Sequence, residues 1–215
     1  MSGPSSGEGK RSRRKERTRR AILDAAAGCF GASGFDACSM EAIGEAAGVT
    51  KPTLYAYFAS KEQLFDTLLR ETFARLKDDA LPDVDSVDGI AAALVAHAKG
   101  HMRMLLGEPI FGLIRATAAE VMRRPEWAQE LMAELGDPGL ERWLAELDRR
   151  GLLRVRSPKA AAEIFWSLVK GQLFYPAVLG LRPPAAARER ARVLKEAVRV
   201  FVDAHAAGQA NESSR

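Results

Sequence analysis

The chain has 215 residues, of which 47% are hydrophobic and 28% are charged, and its formal net charge is +4. This length and apolar content suffice for one medium-sized domain or two small ones, and they exclude a disordered or fibrous protein. No window approaches the ~18 uninterrupted apolar residues of a membrane span, and the polar N-terminus lacks the apolar run of a signal peptide. We therefore expect a globular protein of the cytoplasm.

The chain begins with a polar tail and a cluster of cations. Residues 1–11 are predicted to be disordered, because Gly, Ser and Pro dominate the first nine positions. Residues 10–20, called the basic segment below, contain eight Lys and Arg residues against Glu16 alone, a charge of +7 that leaves −3 for the rest. Such a cluster favours a partner with a phosphate backbone, and a solvated charge run or a localisation patch is the alternative.

Residues 12–59 show the pattern of a small three-helix domain. Hydrophobic residues recur every four positions from Ile22 to Phe30, and glycines at 31 and 34 stop this first helix. Phe35 should then pack beneath the following two helices. The predicted core comprises Ile22, Ala26, Phe30, Phe35, Ile43, Val49, Leu54, Phe58 and Leu64.

The second and third helices of this domain are short and have clear end signals. Ser39 is a good N-cap, Gly48 provides a left-handed residue after the second helix, and Thr50 is placed to cap the third. Pro52 lies in the first turn of the third helix, where no intrahelical N–H is needed. The pattern predicts a helix-turn-helix whose third helix presents its polar side outward.

Residues 60–207 are predicted to form a larger helical domain, followed by a frayed tail at 208–215. The hydrophobic spacing and the Gly and Pro breakers place its helices at 61–81, 87–106, 110–124, 125–135, 138–150, 157–178 and 185–206. There is no strand candidate and no internal repeat. The predicted fold class is all-α, with about nine helices in total.

The segment GFDACSMEAIGEAAGVTKPTLYAYFASKEQLF resembles the N-terminal domain of the TetR family of one-component transcriptional regulators, and the likeness covers residues 17–66. The chain departs from the family pattern at three positions: Tyr57 stands where His is frequent, Gly44 where Ala is common, and Ala42 where an acid is usual. The Tyr57 hydroxyl can still donate to a phosphate, and Gly44 should loosen its helix by ~1 kcal/mol relative to Ala. The resemblance therefore implies a DNA-binding head.

The resemblance also implies which residues contact DNA. Those expected to reach base edges in the major groove are Lys51, Pro52 and Thr53. Those expected to hold phosphates are Arg17, Ser39, Thr50, Tyr55, Tyr57 and Lys61. The basic segment would follow the backbone or enter the minor groove. For the two tyrosines, ordinary core filling is the alternative.

Dimerisation is expected, because one short reading helix makes too few contacts for useful specificity. The resemblance implies a four-helix bundle formed by the last two long helices of two subunits, and the apolar character of 157–178 fits this independently. The residues predicted at this interface are Ile164, Leu168, Tyr175, Leu194, Val198 and Phe201. Purely intramolecular packing of these helices is the alternative.

A cavity for a small effector is expected among the helices at 87–178. Its predicted lining is His97, His101, Met104, Phe111, Arg115, Trp143, Phe165 and Leu173. For each of them plain core packing is an equal alternative. His97 and His101 stand one helical turn apart, as a metal pair would, but no third ligand or H-E-x-x-H motif accompanies them, so no metal and no cofactor are predicted.

Cys29 and Cys38 form no C-x-x-C motif and have no histidine at zinc-finger spacing. We expect two buried thiols in a reducing compartment, with a redox switch as the alternative.

The combined prediction is a ligand-responsive transcriptional regulator rather than an enzyme. It is a repressor that binds a palindromic operator in double-stranded DNA as a homodimer and is released by a small apolar or amphipathic effector. An activator or a broad-specificity regulator of the same fold is the alternative. An enzyme is disfavoured by the absence of a Gly-rich phosphate loop and a G-x-S-x-G elbow. A module that binds a membrane surface would leave the capped reading helix without a purpose.

Overall fold

The computed structural model of the chain describes residues 6–74, 80–123, 126 and 136–206. Its helices are α1 (Ser6–Ala37), α2 (Met40–Ala46), α3 (Lys51–Tyr57), α4 (Lys61–Ala74), α5 (Val87–Leu105), α6 (Ile110–Arg123), α7 (Pro138–Arg149), α8 (Pro158–Leu173), α9 (Tyr175–Val178) and α10 (Ala187–His205). In these ranges extended pairing is limited to an isolated antiparallel bridge between Leu153 and Ala206. The all-α prediction is confirmed.

The chain divides into two compact units. The head unit comprises Met1–Thr72 and Glu108–Arg124, and the body unit comprises Phe73–Gly107 and Pro125–Arg215. The domain predicted at 12–59 lies inside the head unit, which also contains most of α4 and all of α6. The predicted second domain, residues 60–207, includes both of these helices.

Helix α1 begins at Ser6, so the described part of the tail predicted to be disordered is helical. The Lys and Arg residues that follow are good helix formers, and they extend the helix toward the N-terminus. Gly34 interrupts α1 near its end, because its φ of 81° lies in a region that glycine adopts without strain. The chain thereby turns toward α2.

All residues of the predicted head core are buried except Val49, which is half-buried, and the core also includes Phe65 and Leu69, which are not in the predicted set. Its largest members form an aromatic group, in which the ring centroids of Phe30 and Phe65 lie 5.0 Å apart and those of Phe35 and Phe65 lie 4.9 Å apart. Helix α6 packs closely on α1 through two glycines. A Cβ atom at Gly112 would lie 2.8 Å from the Cα atom of Gly31, so this contact requires a residue without a side chain.

The two cysteines form a disulfide, which corrects the prediction of two free thiols. Cys29 lies in α1 and Cys38 directly precedes the N-cap of α2. Because the chain turns at Gly34, their Cα atoms come within 5.8 Å, a separation that a disulfide spans. The bond therefore ties α1 to the start of the helix-turn-helix.

In the body unit, α5, α8 and α10 pack against one another, and α7 packs on α8. The helix predicted at 61–81 is shorter, because residues 80–85 are not helical. The helix predicted at 125–135 falls almost wholly outside the described residues.

The helix predicted at 157–178 is split into α8 and α9 at Phe174. Pro176 causes the break, because it has no N–H to donate to the carbonyl of Gln172. That carbonyl instead accepts a hydrogen bond from the Arg182 guanidinium. Among the described helices, none is long and apolar enough to cross a membrane.

Candidate functional sites

The helix-turn-helix is built by α2 and α3 as their end signals predict. The Ser39 hydroxyl accepts a hydrogen bond from the Ala42 N–H at 3.1 Å, which satisfies one of the free donors at the start of α2. Gly48 follows α2 with a φ of 64°. Ile43 of α2 and Leu54 of α3 are fully buried, so the two short helices are held together by a shared apolar contact surface.

The residues predicted to reach base edges lie at the start of α3. Lys51 and Pro52 are exposed and Thr53 is half-buried. Thr50 is the N-cap residue, but its side chain makes no capping hydrogen bond. Its hydroxyl instead lies 2.9 Å from that of Thr53, so Thr50 occupies the predicted N-cap position without a side-chain capping hydrogen bond. The two hydroxyls form one polar surface beside the Lys51 side chain.

Lys51 has a partner that the sequence did not reveal. Its ammonium nitrogen lies 2.6 Å from the Glu41 carboxylate of α2, with side chains 65% and 60% exposed, and 5.9 Å from the centre of the Tyr55 ring. The hydrogen bond from Lys51 lowers the pKa of Glu41, and the same hydrogen bond raises the pKa of Lys51. No periodicity links two residues on separate helices, so only the packing of α2 against α3 reveals this pair.

The predicted phosphate-contacting residues have different surroundings. Arg17, Ser39, Thr50 and Tyr55 are exposed. Tyr57 is half-buried, and its hydroxyl donates to the backbone carbonyl of Lys15 at 3.3 Å.

The Lys61 side chain forms its contacts within the protein. Its ammonium donates to the carbonyl of Phe35 at 2.8 Å and lies 4.4 Å from the centre of the Phe35 ring. A second donation goes to the carbonyl of Asp36 at 3.3 Å. These carbonyls belong to the short segment after Gly34, the residue at which α1 is interrupted. In the free protein Lys61 holds this segment, and a contact to phosphate would compete with these hydrogen bonds.

The basic segment forms the exposed N-terminal part of α1. Two of its cations are paired within the head unit: Arg19 with Glu71 and Glu16, and Arg20 with Asp24. The remaining six are exposed and form no ion pair with the described residues: Lys10, Arg11, Arg13, Arg14, Lys15 and Arg17. This segment of the helix therefore has a strongly positive surface.

A buried polar cluster lies in the body unit where α5, α7 and α8 meet. Asp137 is the N-cap of α7, and its carboxylate accepts hydrogen bonds from the Leu140 N–H at 2.9 Å, His97 Nε2 at 2.7 Å and Trp166 Nε1 at 3.1 Å. Since the carboxylate offers only acceptors, the His97 nitrogen is a donor. Burial alone would raise the pKa of Asp137, but the hydrogen bonds outweigh it and the pKa is lowered.

His101 and Lys170 flank this cluster. The His101 ring lies 4.1 Å from the Trp166 ring between centroids, and the Lys170 ammonium lies 5.0 Å from the centre of the same indole. Burial, with a smaller contribution from the Lys170 charge, lowers the pKa of His101 to about 3, so its imidazole is neutral near pH 7. Burial also lowers the pKa of Lys170.

The predicted effector residues belong to both units. His97, His101, Phe165 and Leu173 are buried in the body unit. Met104 is half-buried, and Arg115 is an exposed residue of the head unit.

The two remaining aromatic residues of the predicted pocket are placed differently again. Phe111 is buried in the head unit. Trp143 donates to the carbonyl of Pro82 at 2.7 Å and lines a surface pocket of about 470 Å³ with residues 81–83 and the face of α7. No group of three metal-ligating side chains occurs within the part of the chain that the structure describes.

The predicted dimer residues fall into two groups. Ile164 and Tyr175 are 52% and 50% exposed, and Leu168 is half-buried. The other three predicted residues pack inside the protomer and retain almost no surface for a partner: Leu194, Val198 and Phe201. The hydrophobic side of the last helix, which the sequence predicts, is thus the face that packs on α5 and α8. Further exposed apolar side chains in this part of the chain are Leu179, Leu181 and Val200.

Two family models match the sequence. The model described as "Bacterial regulatory proteins, tetR family" matches residues 22–68. The model described as "AefR-like transcriptional repressor, C-terminal domain" matches residues 92–207, which is more than half of the chain. The first match covers the helix-turn-helix, and the second covers most of the helices that follow.

Similar proteins and structures agree with these matches. HTH-type transcriptional regulator RutR of Escherichia coli (strain K12) is 46% identical over 63 residues, 29% of this chain and 30% of that protein. HTH-type transcriptional regulator BetI of Rhizobium meliloti (strain 1021) is 40% identical over 63 residues, 29% of this chain and 31% of that protein. The chain thus matches about three-tenths of the length of these curated relatives.

Two solved structures match over a larger part of the chain. The structure of Flavonoid-responsive Regulator FrrA is 32% identical with a TM-score of 0.68, covering 90% of this chain and 100% of that one. A TetR-family regulator from Mesorhizobium loti MAFF303099 shares the fold with a TM-score of 0.78 at 23% identity, covering 90% and 98%. With its helix-turn-helix, its all-helical body and these matches, the chain belongs to the TetR family of DNA-binding transcriptional regulators.

Proposed function

We propose that the protein is a repressor that binds a palindromic operator as a homodimer and is released by a small apolar or amphipathic effector. The observation that carries the proposal is the exposed start of α3, with Lys51, Pro52 and Thr53 on a well-capped helix-turn-helix. A side chain must be accessible to reach a base edge in the major groove; Lys51 and Pro52 are exposed, and Thr53 is half-buried.

The charge distribution supports a division of labour within the head unit. Between residues 24 and 60 the acidic side chains outnumber the basic ones, so the helix-turn-helix itself gains little from charge. Six cations of the basic segment form no ion pair with the residues that the structure describes and are available for phosphates. Contacts of this kind supply most of the sequence-independent affinity. Specificity then rests on the start of α3.

Dimerisation is supported by exposed apolar side chains in the body unit. Ile164, Tyr175, Leu179 and Leu181 are all at least half exposed, and Leu181 is 76% exposed. Tyr175, Leu179 and Leu181 lie close together in sequence, in and just after α9, and such exposed apolar surface is typical of an interface. A two-fold dimer would present two reading helices to half-sites spaced by about 34 Å or a multiple of it.

Repression and effector release are supported by the relatives. The model that matches residues 92–207 describes transcriptional repressors, and FrrA is described by its name as flavonoid-responsive. By analogy with that name, an aromatic, amphipathic effector is the proposal for this protein. Such a ligand lowers operator affinity by as much as it prefers the arrangement that does not bind DNA.

Selection of bound sequences from a pool of random DNA duplexes tests this function. The wild-type protein should enrich a palindrome, and Lys51→Ala should bind that palindrome at least about ten-fold more weakly because a base contact is lost. Lys99→Ala is the matched control, since Lys99 is an exposed lysine of α5 in the body unit. Failure of the wild-type protein to enrich any sequence would contradict operator binding, and a monomer in light scattering would contradict the dimer.

A further inference from the structure

The pair formed by Glu41 and Lys51 has no evident structural purpose. Both side chains are more than half exposed, with their charged atoms 2.6 Å apart. Exposed ion pairs of this kind stabilise a fold very little, because water screens them and two flexible side chains must be ordered. Glu41 also places a negative charge on the surface that must approach phosphates. Its position is therefore better explained by a group that the carboxylate contacts in the complex.

The major-groove edge of a base pair offers such a group. A G·C pair presents the acceptors N7 and O6 on guanine and, next to them, the N4 donor on cytosine. Guanine O6 and cytosine N4 are hydrogen-bonded to each other at about 2.9 Å, a spacing close to that between Lys51 and Glu41. The ammonium offers only donors and the carboxylate only acceptors, so the protein pair is complementary to this edge.

An A·T pair fits the same two side chains less well. Its single donor, adenine N6, lies between the acceptors adenine N7 and thymine O4, and both repel a carboxylate. The thymine methyl group also occupies part of this edge. In a G·C pair the cytosine donor has an acceptor on one side only, which is the side that the ammonium covers.

We propose that Glu41 is a specificity-determining residue, and that Glu41 and Lys51 together read one G·C base pair in each operator half-site. Lys51 donates to guanine O6 or N7, and Glu41 accepts from the cytosine N4 amino group. This inference rests on the proposed operator binding. It adds to it a second reading residue, contributed by α2 rather than α3, and a fixed orientation of one base pair.

The experiment compares sequence selection by the wild-type protein, Glu41→Ala and Glu45→Ala. Glu45 is the matched control, because it is an exposed glutamate one turn further along α2 and its removal changes the net charge equally. The wild-type protein should prefer G·C over A·T at one position of the half-site. Glu41→Ala should reduce that ratio of affinities roughly ten-fold and leave the other positions unchanged. Glu45→Ala should leave every preference unchanged.

A double-mutant comparison tests whether the two residues read the same base pair. Lys51→Ala should lose preference at the position that Glu41→Ala affects, and the double variant should lose little more, because the two contacts are coupled. Circular dichroism and melting curves ensure that the variants are folded.

The outcomes separate this inference from the proposed function. If Glu41→Ala binds all duplexes more tightly with unchanged preferences, Glu41 is only a charge partner and the inference is overturned while operator binding stands. Loss of preference at different positions in the two single variants would overturn it as well. If the wild-type protein enriches no sequence, operator binding fails and this inference fails with it.

Discussion

The Lys51–Glu41 pair of the head unit and the His97–Asp137 pair of the body unit each join a carboxylate to a nitrogen donor, at 2.6 and 2.7 Å. They differ in exposure: the side chains of the first pair are 65% and 60% exposed, and those of the second are 5% and 6% exposed. The exposed pair can exchange its partner for a ligand, because water already solvates both charges. The buried pair cannot, since separating it would leave a carboxylate without its donors in an apolar environment.

Because they differ in exposure, the two pairs should have different roles although their chemical groups are similar. The Asp137 carboxylate caps α7 and accepts from residues of α5 and α8, so it holds three segments of the body unit together. Glu41 joins two helices whose apolar residues already pack against each other. We therefore expect the buried pair to determine stability and the exposed pair to determine recognition.

The largest expected effect is that of Asp137→Ala. The substitution leaves two buried donors and the first turn of α7 without their acceptor, and it should lower the free energy of unfolding by about 3–5 kcal/mol. Glu41→Ala is the comparison, and it should leave the denaturation midpoint unchanged. Urea denaturation followed by circular dichroism measures both. Equal effects of the two substitutions would show that exposure does not distinguish the pairs.

Removal of the disulfide should have the next largest effect. The bond between Cys29 and Cys38 closes a loop across a sequence separation of 9 residues, and the loop-entropy account predicts a loss of about 2–3 kcal/mol when such a loop is opened. The double substitution of both cysteines by serine should lower the unfolding midpoint. A reducing agent should lower the midpoint of the wild-type protein by the same amount and leave the variant unaffected. A wild-type protein that is insensitive to reductant would contradict the bond.

The disulfide and the Asp137 cluster also show how far the sequence predicts this molecule. Helix ends follow from local signals such as Ser39, Gly48 and Pro52, so the helix-turn-helix and its exposed residues could be read directly. The Cys29–Cys38 bond depends on the turn at Gly34: the sequence predicts that the first helix stops there, but not the direction that the chain then takes. Polar contacts between separate helices, such as that of Glu41 with Lys51, carry no periodic signal.

The last helix illustrates a different reason for error. Its hydrophobic stripe correctly predicts a buried face, but periodicity does not say what covers that face. In the structure Leu194, Val198 and Phe201 pack inside the protomer, where α10 meets α5 and α8. A residue for an interface between subunits must instead lie outside the stripe that builds the protomer, as Ile164 does on α8.

The buried cluster should make the stability of the body unit depend on pH. The pKa of His101 falls from its usual value of 6.5 to about 3, chiefly through burial, and Lys170, Asp137 and His97 also act on it. The unfolded state therefore takes up a proton below pH 6.5 that the folded state does not bind until about pH 3. The stabilising contribution is complete above the unfolded pKa and declines as the pH falls.

As the pH falls from 6.5 to about 5, the unfolded state binds this proton, and the free energy of unfolding should decrease by about 2 kcal/mol. His101→Gln cannot take up the proton, so its stability should change less over the same interval than that of the wild-type protein. Urea denaturation at several pH values measures, for each protein, how steeply the free energy of unfolding depends on pH. Identical slopes would show that His101 titrates alike in the folded and unfolded states.

The smallest expected effect concerns Lys61, which lies between the exposed and the buried pair in character. It is half-buried, and its ammonium donates to the carbonyls of Phe35 and Asp36, which follow the interruption of α1 at Gly34. Lys61→Ala should therefore lower the free energy of unfolding by about 1 kcal/mol, because hydrogen bonds from a charged group are lost. It should leave the salt dependence of DNA binding unchanged, whereas loss of a phosphate contact would reduce the slope by about 0.9 per contact. Lys99→Ala, which removes an exposed lysine of the body unit, is the control for charge. A weaker salt dependence of DNA binding with unchanged stability would show that Lys61 contacts the phosphate backbone, as the sequence predicts. Lys61 would then resemble Lys51, whose partner can be exchanged for DNA.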